Sequence, residues 1–284
     1  MWQRRLALTA VLIGFGATAC GGADAGDRTA DGTLTVKSPS ADAEVAWPAK
    51  VALAAKGVTI EPVGDAQVRD AAGHYHVMVD TDCVKKGNAI PKDAEHIHFG
   101  TGATTLTLGT VAPGRHELCV QVADGAHAAL DATTTLAITV GPVTQKAWQA
   151  TANELCAPKD AAVDELVRAF NAAHPGIIGG GPDVATAEQR EAAREDFWMF
   201  FEGVGAISKP VSDAVLALPY PDTAQGKTAH DTLAAAMKKA DGFGTQLLQD
   251  RPDDIFDRLG EYDREGPFAE LNETLDKLGL WQCI

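Results

Sequence analysis

The sequence predicts a chain of two parts, an antiparallel β-sandwich followed by an all-α helical bundle. Three observations carry that expectation. Residues 33–140 consist of short runs rich in Thr, Val and Gly, separated by turn signals. From Thr144 onward, apolar residues recur at helical spacing instead. The composition changes at Gly141-Pro142, where the two patterns meet.

In the first part the runs are Leu34-Thr35-Val36, Val51-Ala52-Leu53, His76 to Val79, Thr105 to Leu108, Leu118 to Val122 and Leu136 to Val140. Ser38-Pro39, Pro62-Val63-Gly64, Pro113-Gly114 and Asp124-Gly125 punctuate them. Short strands at this spacing point to a sandwich of immunoglobulin-like type over residues 32–141. In the second part, residues 144–284, Thr144 can cap a helix running to about Cys156. A second helix is expected from about Asp160 to Ala173, ended by Pro175-Gly176. A third starts near Thr186 and carries Phe197, Phe200, Phe201 and Val204 as an i, i+3, i+4, i+7 stripe. Shorter or later helices are expected near Ser212–Ala217, Thr228–Gln249 and Phe268–Leu278.

The first 31 residues read as an address and a tether. Arg4 and Arg5 precede an apolar stretch, Leu6 to Gly16, that is too short to span a bilayer. It ends in Ala17-Thr18-Ala19-Cys20-Gly21, which resembles a bacterial lipobox. The resemblance implies a lipoprotein signal peptide over residues 1–19, cleavage before Cys20 and acylation of that thiol. Residues 20–31 then form a small, polar tether, and the lipid on Cys20 makes the membrane a partner on the extracytoplasmic side. No later stretch is long and apolar enough to cross a membrane.

Five cysteines fit that compartment. With Cys20 acylated, four remain, and four allow three pairings. Two lie in each half, which favours Cys83–Cys119 and Cys156–Cys283. The charge is also informative. Residues 144–284 hold 13 Lys+Arg against 24 Asp+Glu, so −11 of the total −15 sits in the helical part. Such a surface repels phosphates and argues against nucleic acid as a partner.

The histidines are the most unusual feature. Six of the eight, His74, His76, His96, His98, His116 and His127, fall between residues 74 and 127. Four of them form two His-x-His pairs. Strand side chains alternate faces, so each pair presents two imidazoles on one side. On the first run His74, His76, Met78 and Asp80 share a face, opposite Tyr75, Val77 and Val79, which are expected to face the core. If the two runs are neighbours, four to six imidazoles converge. Imidazole is the commonest protein ligand for zinc and copper. Met78 would add a soft ligand for copper and Asp80 a hard one for zinc. His116 and His127 each follow a Gly turn, where an imidazole can instead brace backbone.

Other chemistry is thin. There is no Gly-x-Ser-x-Gly elbow and no phosphate loop, and His116-Glu117 lacks the partner spacing of a zincin helix. Asp250, Asp253, Asp254 and Asp257 lack calcium-loop spacing and read as a solvated helix start. His174 ends a helix, and His230 is expected at the surface.

Residues 34–141 resemble a family of bacterial secreted domains of unknown function. The resemblance is carried by Ser38-Pro39, Gly73-His74-Tyr75-His76, Val79-Asp80, Ile90-Pro91, His96-Ile97-His98-Phe99-Gly100-Thr101-Gly102, Pro113-Gly114-Arg115-His116 and Asp124-Gly125-Ala126-His127. It implies a sandwich-like module of the cell envelope and supplies no activity. The segments Ala152-Asn153-Glu154-Leu155-Cys156 and Leu278 to Cys283 look like helical lipoprotein modules tied from first helix to C-terminus. The expected function is non-enzymatic binding of copper or zinc by the histidines, in metal handling or sensing. The rival expectation is an envelope protein- or glycan-interaction module with structural histidines; a copper redox enzyme comes third.

Overall fold

Alternating runs in the first part become two sheets, and helical runs in the second become long helices. The computed structural model of the 284-residue chain describes residues 32–64, 67–178, 185–262 and 264–284. The expected signal peptide, Cys20 and the tether lie outside the described residues.

The smaller sheet is antiparallel, with order β1 (Thr33–Ser38), β3 (Ala49–Lys56), β7 (Thr105–Leu108). The larger runs β2 (Ala43–Val45), β9 (Ala129–Val140), β8 (Gly114–Ala123), β5 (Ala72–Val79), β4 (Thr59–Ile60). A further strand, β6 (His96–Phe99), pairs antiparallel with β5. Every run expected from the alternation lies in one of these strands. Their inward residues build one core. Val51 and Leu53 from β3 and Leu106 and Leu108 from β7 meet Tyr75, Val77, Leu118, Val120 and Val122 from the larger sheet. Burying each such side chain contributes about 1.5–3 kcal/mol.

Chain 145–284 forms α1 (Gln145–Ala173), α2 (Ala187–Leu216), α3 (Ala224–Asp250), α4 (Ile255–Tyr262) and α5 (Pro267–Lys277), then a 3-10 turn, Trp281–Cys283. Thr144 caps α1 by accepting from Ala147 N, and Thr186 with Gln189 forms a capping box on α2.

Three helix expectations need correction. The two helices expected over 144–173 are one, α1, which continues through Pro158. The helix expected at Ser212–Ala217 is the end of α2, which passes Pro210. A proline removes one helical hydrogen bond and crowds the preceding turn. In α1, packing on both sides outweighs that cost: Trp148, Ala152 and Cys156 are buried in the main core, and Phe170 is buried in a second, aromatic cluster. That cluster gathers the expected stripe, with Phe197 fully buried and Phe200 and Phe201 packed against it. The third concerns α4, which starts among Asp253, Asp254 and Asp257 where a solvated helix start is expected, as a short helix separate from α3.

The two parts share a core. The apolar cluster of the sheets continues into Trp148, Ala152, Val215, Leu218, Leu233 and Leu275. At Gly109, just past β7, a Cβ would stand 3.3 Å from Leu218 and 3.3 Å from Thr151, so the sheets and helices abut there. Both expected disulfides are present, with Cα–Cα distances of 5.5 Å for Cys83–Cys119 and 5.0 Å for Cys156–Cys283. Around the second, Asn153 Nδ2 donates to Gly279 O and its Oδ1 accepts from Gln282 N. No described helix is long and apolar enough to cross a membrane.

Candidate metal centre

The site is built on β5. Tyr75 and Val77 face the core, and His74 and His76 occupy the opposite face, as alternation requires. That opposite face is not open, however. His74 is 1% exposed and His76 2% exposed. The segment between β5 and β6 folds back over it. Gln121, on β8 beside His76, clamps this segment by accepting from Val84 N and donating to Val84 O. Further along, Ile90 N donates to His127 O and Ala129 N to Asn88 O.

His98 arrives from β6, whose register sets it directly opposite His76. A Cβ at Gly100 would fall 2.6 Å from His98 Cε1, so the ring rests where only glycine leaves room. His127 arrives from the turn joining β8 to β9. Its backbone is left-handed, with φ at 63°, an uncommon conformation for a residue with a Cβ. Asp124 imposes it: this buried carboxylate accepts from Ala126 N and Ala128 N, both at 2.9 Å.

The result is a cluster of His74, His76, His98 and His127, in which one ring nitrogen of each lies within 4.8 Å of the others. His74 and His76 form the buried floor, and His98 and His127 the mouth, with His98 exposed. His74 Nε2 and His76 Nε2 are 3.0 Å apart. His76 Nδ1 is buried without a hydrogen-bond partner. Such orphans are rare, and an ion-binding site is one standing reason for them.

Three of the four imidazoles are shifted toward the neutral form. Burial first, then the neighbouring His98 and His127, push the His74 pKa down to about 4, with Asp124 opposing. Burial and then His74, His98, His127 and His96 push His76 to about 3. Burial, then His127 and Lys92, lower His98 as well. Neutral imidazoles are the form that ligates a metal.

The other sequence candidates lie elsewhere, which corrects the expectation of up to six converging imidazoles. His96 is opposite Met78, two pairs further along the ladder, and its Nδ1 sits 2.6 Å from Asp93 Oδ1. His116 fails to converge because it is an odd number of residues from Gln121, which shares the His76 face, and so it points to the other side. It braces a turn: His116 Nδ1 is 2.7 Å from Asp80 Oδ2 and Nε2 is 2.9 Å from Ala112 O. Asp80 has left the strand with φ at 56°, accepts from Glu117 N as well, and has its carboxyl pKa lowered chiefly by His116. Met78 stays on the histidine face, fully buried, paired with His96 and Cys119. His174 and His230 lie in the helical part, at Asp196 Oδ2 (2.8 Å) and Leu216 O (3.2 Å).

Sequence reasoning missed Asp124, Gln121 and Gly100 as supports. Asp124 was visible only as a turn residue; Asp-Gly-x-His, read as a unit that fixes the histidine's backbone, would have flagged it.

No curated protein matches the chain. A family model described as a domain of unknown function (DUF4399) matches residues 51–141, a span that contains all four clustered histidines and both strands of the His-x-His pairs. The β part is therefore similar to an uncharacterised domain family, over about a third of the chain.

Proposed function

We propose that the β part binds one transition-metal ion, copper or zinc, through His74, His76, His98 and His127. The carrying observation is the convergence of four ring nitrogens, from two strands and a turn, within 4.8 Å of one another. In this reading the protein is not an enzyme. It handles or senses metal in the bacterial cell envelope, where a lipid on Cys20 holds it to the membrane and the two sheets form an immunoglobulin-like sandwich. The lipobox-like Ala17-Thr18-Ala19-Cys20 and two disulfides support the compartment. The interaction-module alternative calls for dispersed histidines, and these four are gathered.

The test is metal content and titration. The protein from Gly21 onward is purified, its bound metal measured by mass spectrometry, then stripped and titrated with Cu(I), Cu(II) and Zn(II). Near-stoichiometric, tight binding that is lost in His76→Ala/His98→Ala supports the proposal. Binding no tighter than tens of micromolar overturns it.

A further inference from the structure

We infer that the four imidazoles form one closed tetrahedral site whose coordination matches zinc(II). The inference rests on the metal-binding reading above and goes further, to the geometry and the ion.

The six distances between ring centroids decide the geometry. They are 4.9 Å for His74–His76, 4.8 Å for His74–His98, 4.8 Å for His74–His127, 5.0 Å for His76–His98, 5.6 Å for His76–His127 and 5.1 Å for His98–His127. Four points with six nearly equal separations are the corners of a tetrahedron. A planar arrangement has two diagonals longer than its sides by a factor of about 1.4, as tetragonal copper(II) prefers. Here the longest separation exceeds the shortest by less than a fifth.

The size fits too. With zinc–nitrogen bonds of about 2.0–2.1 Å and roughly 1.2 Å more to the ring centre, tetrahedral imidazole centroids stand about 5.2 Å apart. Square-planar ligation would put four pairs near ~4.5 Å and two near ~6.4 Å. The observed set, 4.8–5.6 Å, brackets the first value and spans neither of the second. Around one ion at that bond length the donor nitrogens would stand about 3.3 Å apart, so those now up to 4.8 Å apart must draw in on binding.

The donor set narrows the ion further. It is all imidazole, with no thiolate in the cluster, since both nearby cysteines are in a disulfide. Soft Cu(I) favours sulfur, whereas zinc has no d-electron preference and accepts a tetrahedron of nitrogens. Four protein ligands also complete the coordination. Hydrolytic zinc keeps one position for water, so a closed site belongs to binding and structure rather than catalysis. The mouth ligands, His98 and His127, provide the route for exchange.

Cobalt(II) is the probe, because its visible absorption is intense when tetrahedral and weak when five- or six-coordinate. One equivalent is added to the stripped protein, then displaced with zinc. The expected result is one intense, zinc-displaceable set of bands, which weakens at least severalfold in His98→Ala and in His127→Ala, two variants at the open side of the fold. X-ray absorption of the zinc form is expected to show four imidazole nitrogens. Weak cobalt bands, bands unchanged in those variants, or a copper(II) resonance spectrum of planar four-nitrogen ligation overturns the tetrahedral site while the metal-binding reading survives. Failure of cobalt, zinc and copper alike to bind overturns both.

Discussion

The outer face of β5 and the rest of the molecule treat histidine in opposite ways. Elsewhere each imidazole has an oxygen at hand: Asp93 for His96, Asp80 and Ala112 O for His116, Asp196 for His174, Leu216 O for His230. In the cluster the rings pack against one another, with a ring-nitrogen hydrogen bond between His74 and His76. Oxygen partners fix a tautomer and hold a surface turn or helix end in place. In the cluster one ring nitrogen of each histidine lies within 4.8 Å of the others, and His76 Nδ1 is buried without a hydrogen-bond partner. The chain thus carries four histidines tied to nearby oxygens and four gathered against one another.

The sharpest way to break this contrast is to delete from each group. His76→Ala/His98→Ala is expected to abolish tight binding, because structural zinc sites owe about 10–16 kcal/mol to their full ligand set. His174→Ala and His230→Ala are expected to leave the affinity within twofold. Calorimetric titration of the stripped proteins reads both. Equal losses in the two groups would show that the contrast has no bearing on metal.

Next in size come the two disulfides. Cys156–Cys283 closes 127 residues and Cys83–Cys119 closes 36. The chain-entropy relation gives about 5 and about 4 kcal/mol of stability, respectively. Their effects on metal should run the other way. Cys83 anchors the segment whose backbone bonds hold His127 and which leads into β6, whereas Cys283 lies among Asn153, Gln149 and the C-terminal turn. Cys83→Ser/Cys119→Ser is expected to weaken zinc at least tenfold, and Cys156→Ser/Cys283→Ser less than threefold, despite the larger loss of stability. Urea unfolding and zinc titration on the same samples separate the two quantities.

Acid sharpens the comparison without mutation. Folded His74 and His76 titrate near 4 and near 3, against 6.5 in an unfolded chain. Below pH 6.5 the unfolded state therefore takes up protons that the folded state refuses. The stability of the metal-free protein is complete above that pH and declines as pH falls from about 6.5 toward 4 and then 3. Urea midpoints measured between pH 7.5 and pH 4 are expected to fall, and to fall less in His74→Gln/His76→Gln. An identical slope in that variant would assign the acid sensitivity to the carboxylates instead.

What could be read in advance follows the same division. Alternation along single strands was legible, and with it the sharing of a face by His74 and His76 and the burial of Tyr75 and Val77. Which histidines meet was not, because that depends on cross-strand register. The pairing of His76 with His98 places His96 beside Met78, and the odd spacing from Gln121 turns His116 away. Alternation within β8 puts His116 on the Leu118 face, whereas nothing local to either strand encodes the register of His76 with His98. His127 depends on a left-handed backbone held by a buried aspartate, for which the Asp-Gly-x-His unit is the only local trace. In the helical part Pro158 and Pro210 read as boundaries, yet α1 and α2 run through them because packing on both sides exceeds the cost of one lost bond.

The smallest expected effect is also the most discriminating for the ion. Met78 lies on the histidine face, fully buried, two residues along β5 from His76 and opposite Cys119. A thioether there is either packing or a fifth, soft ligand. Met78→Leu keeps the volume and removes the sulfur, so its cost in stability should stay under about 1.5 kcal/mol. If four imidazoles complete a tetrahedron, zinc affinity and Cu(I) affinity should each change less than threefold. A loss of tenfold or more confined to Cu(I) would mean that sulfur belongs to the site, because only the soft ion gains from it. The histidine face would then be a copper site in which Met78 replaces one of the two mouth imidazoles, and His98→Ala or His127→Ala, whichever leaves Cu(I) binding intact, would show which one.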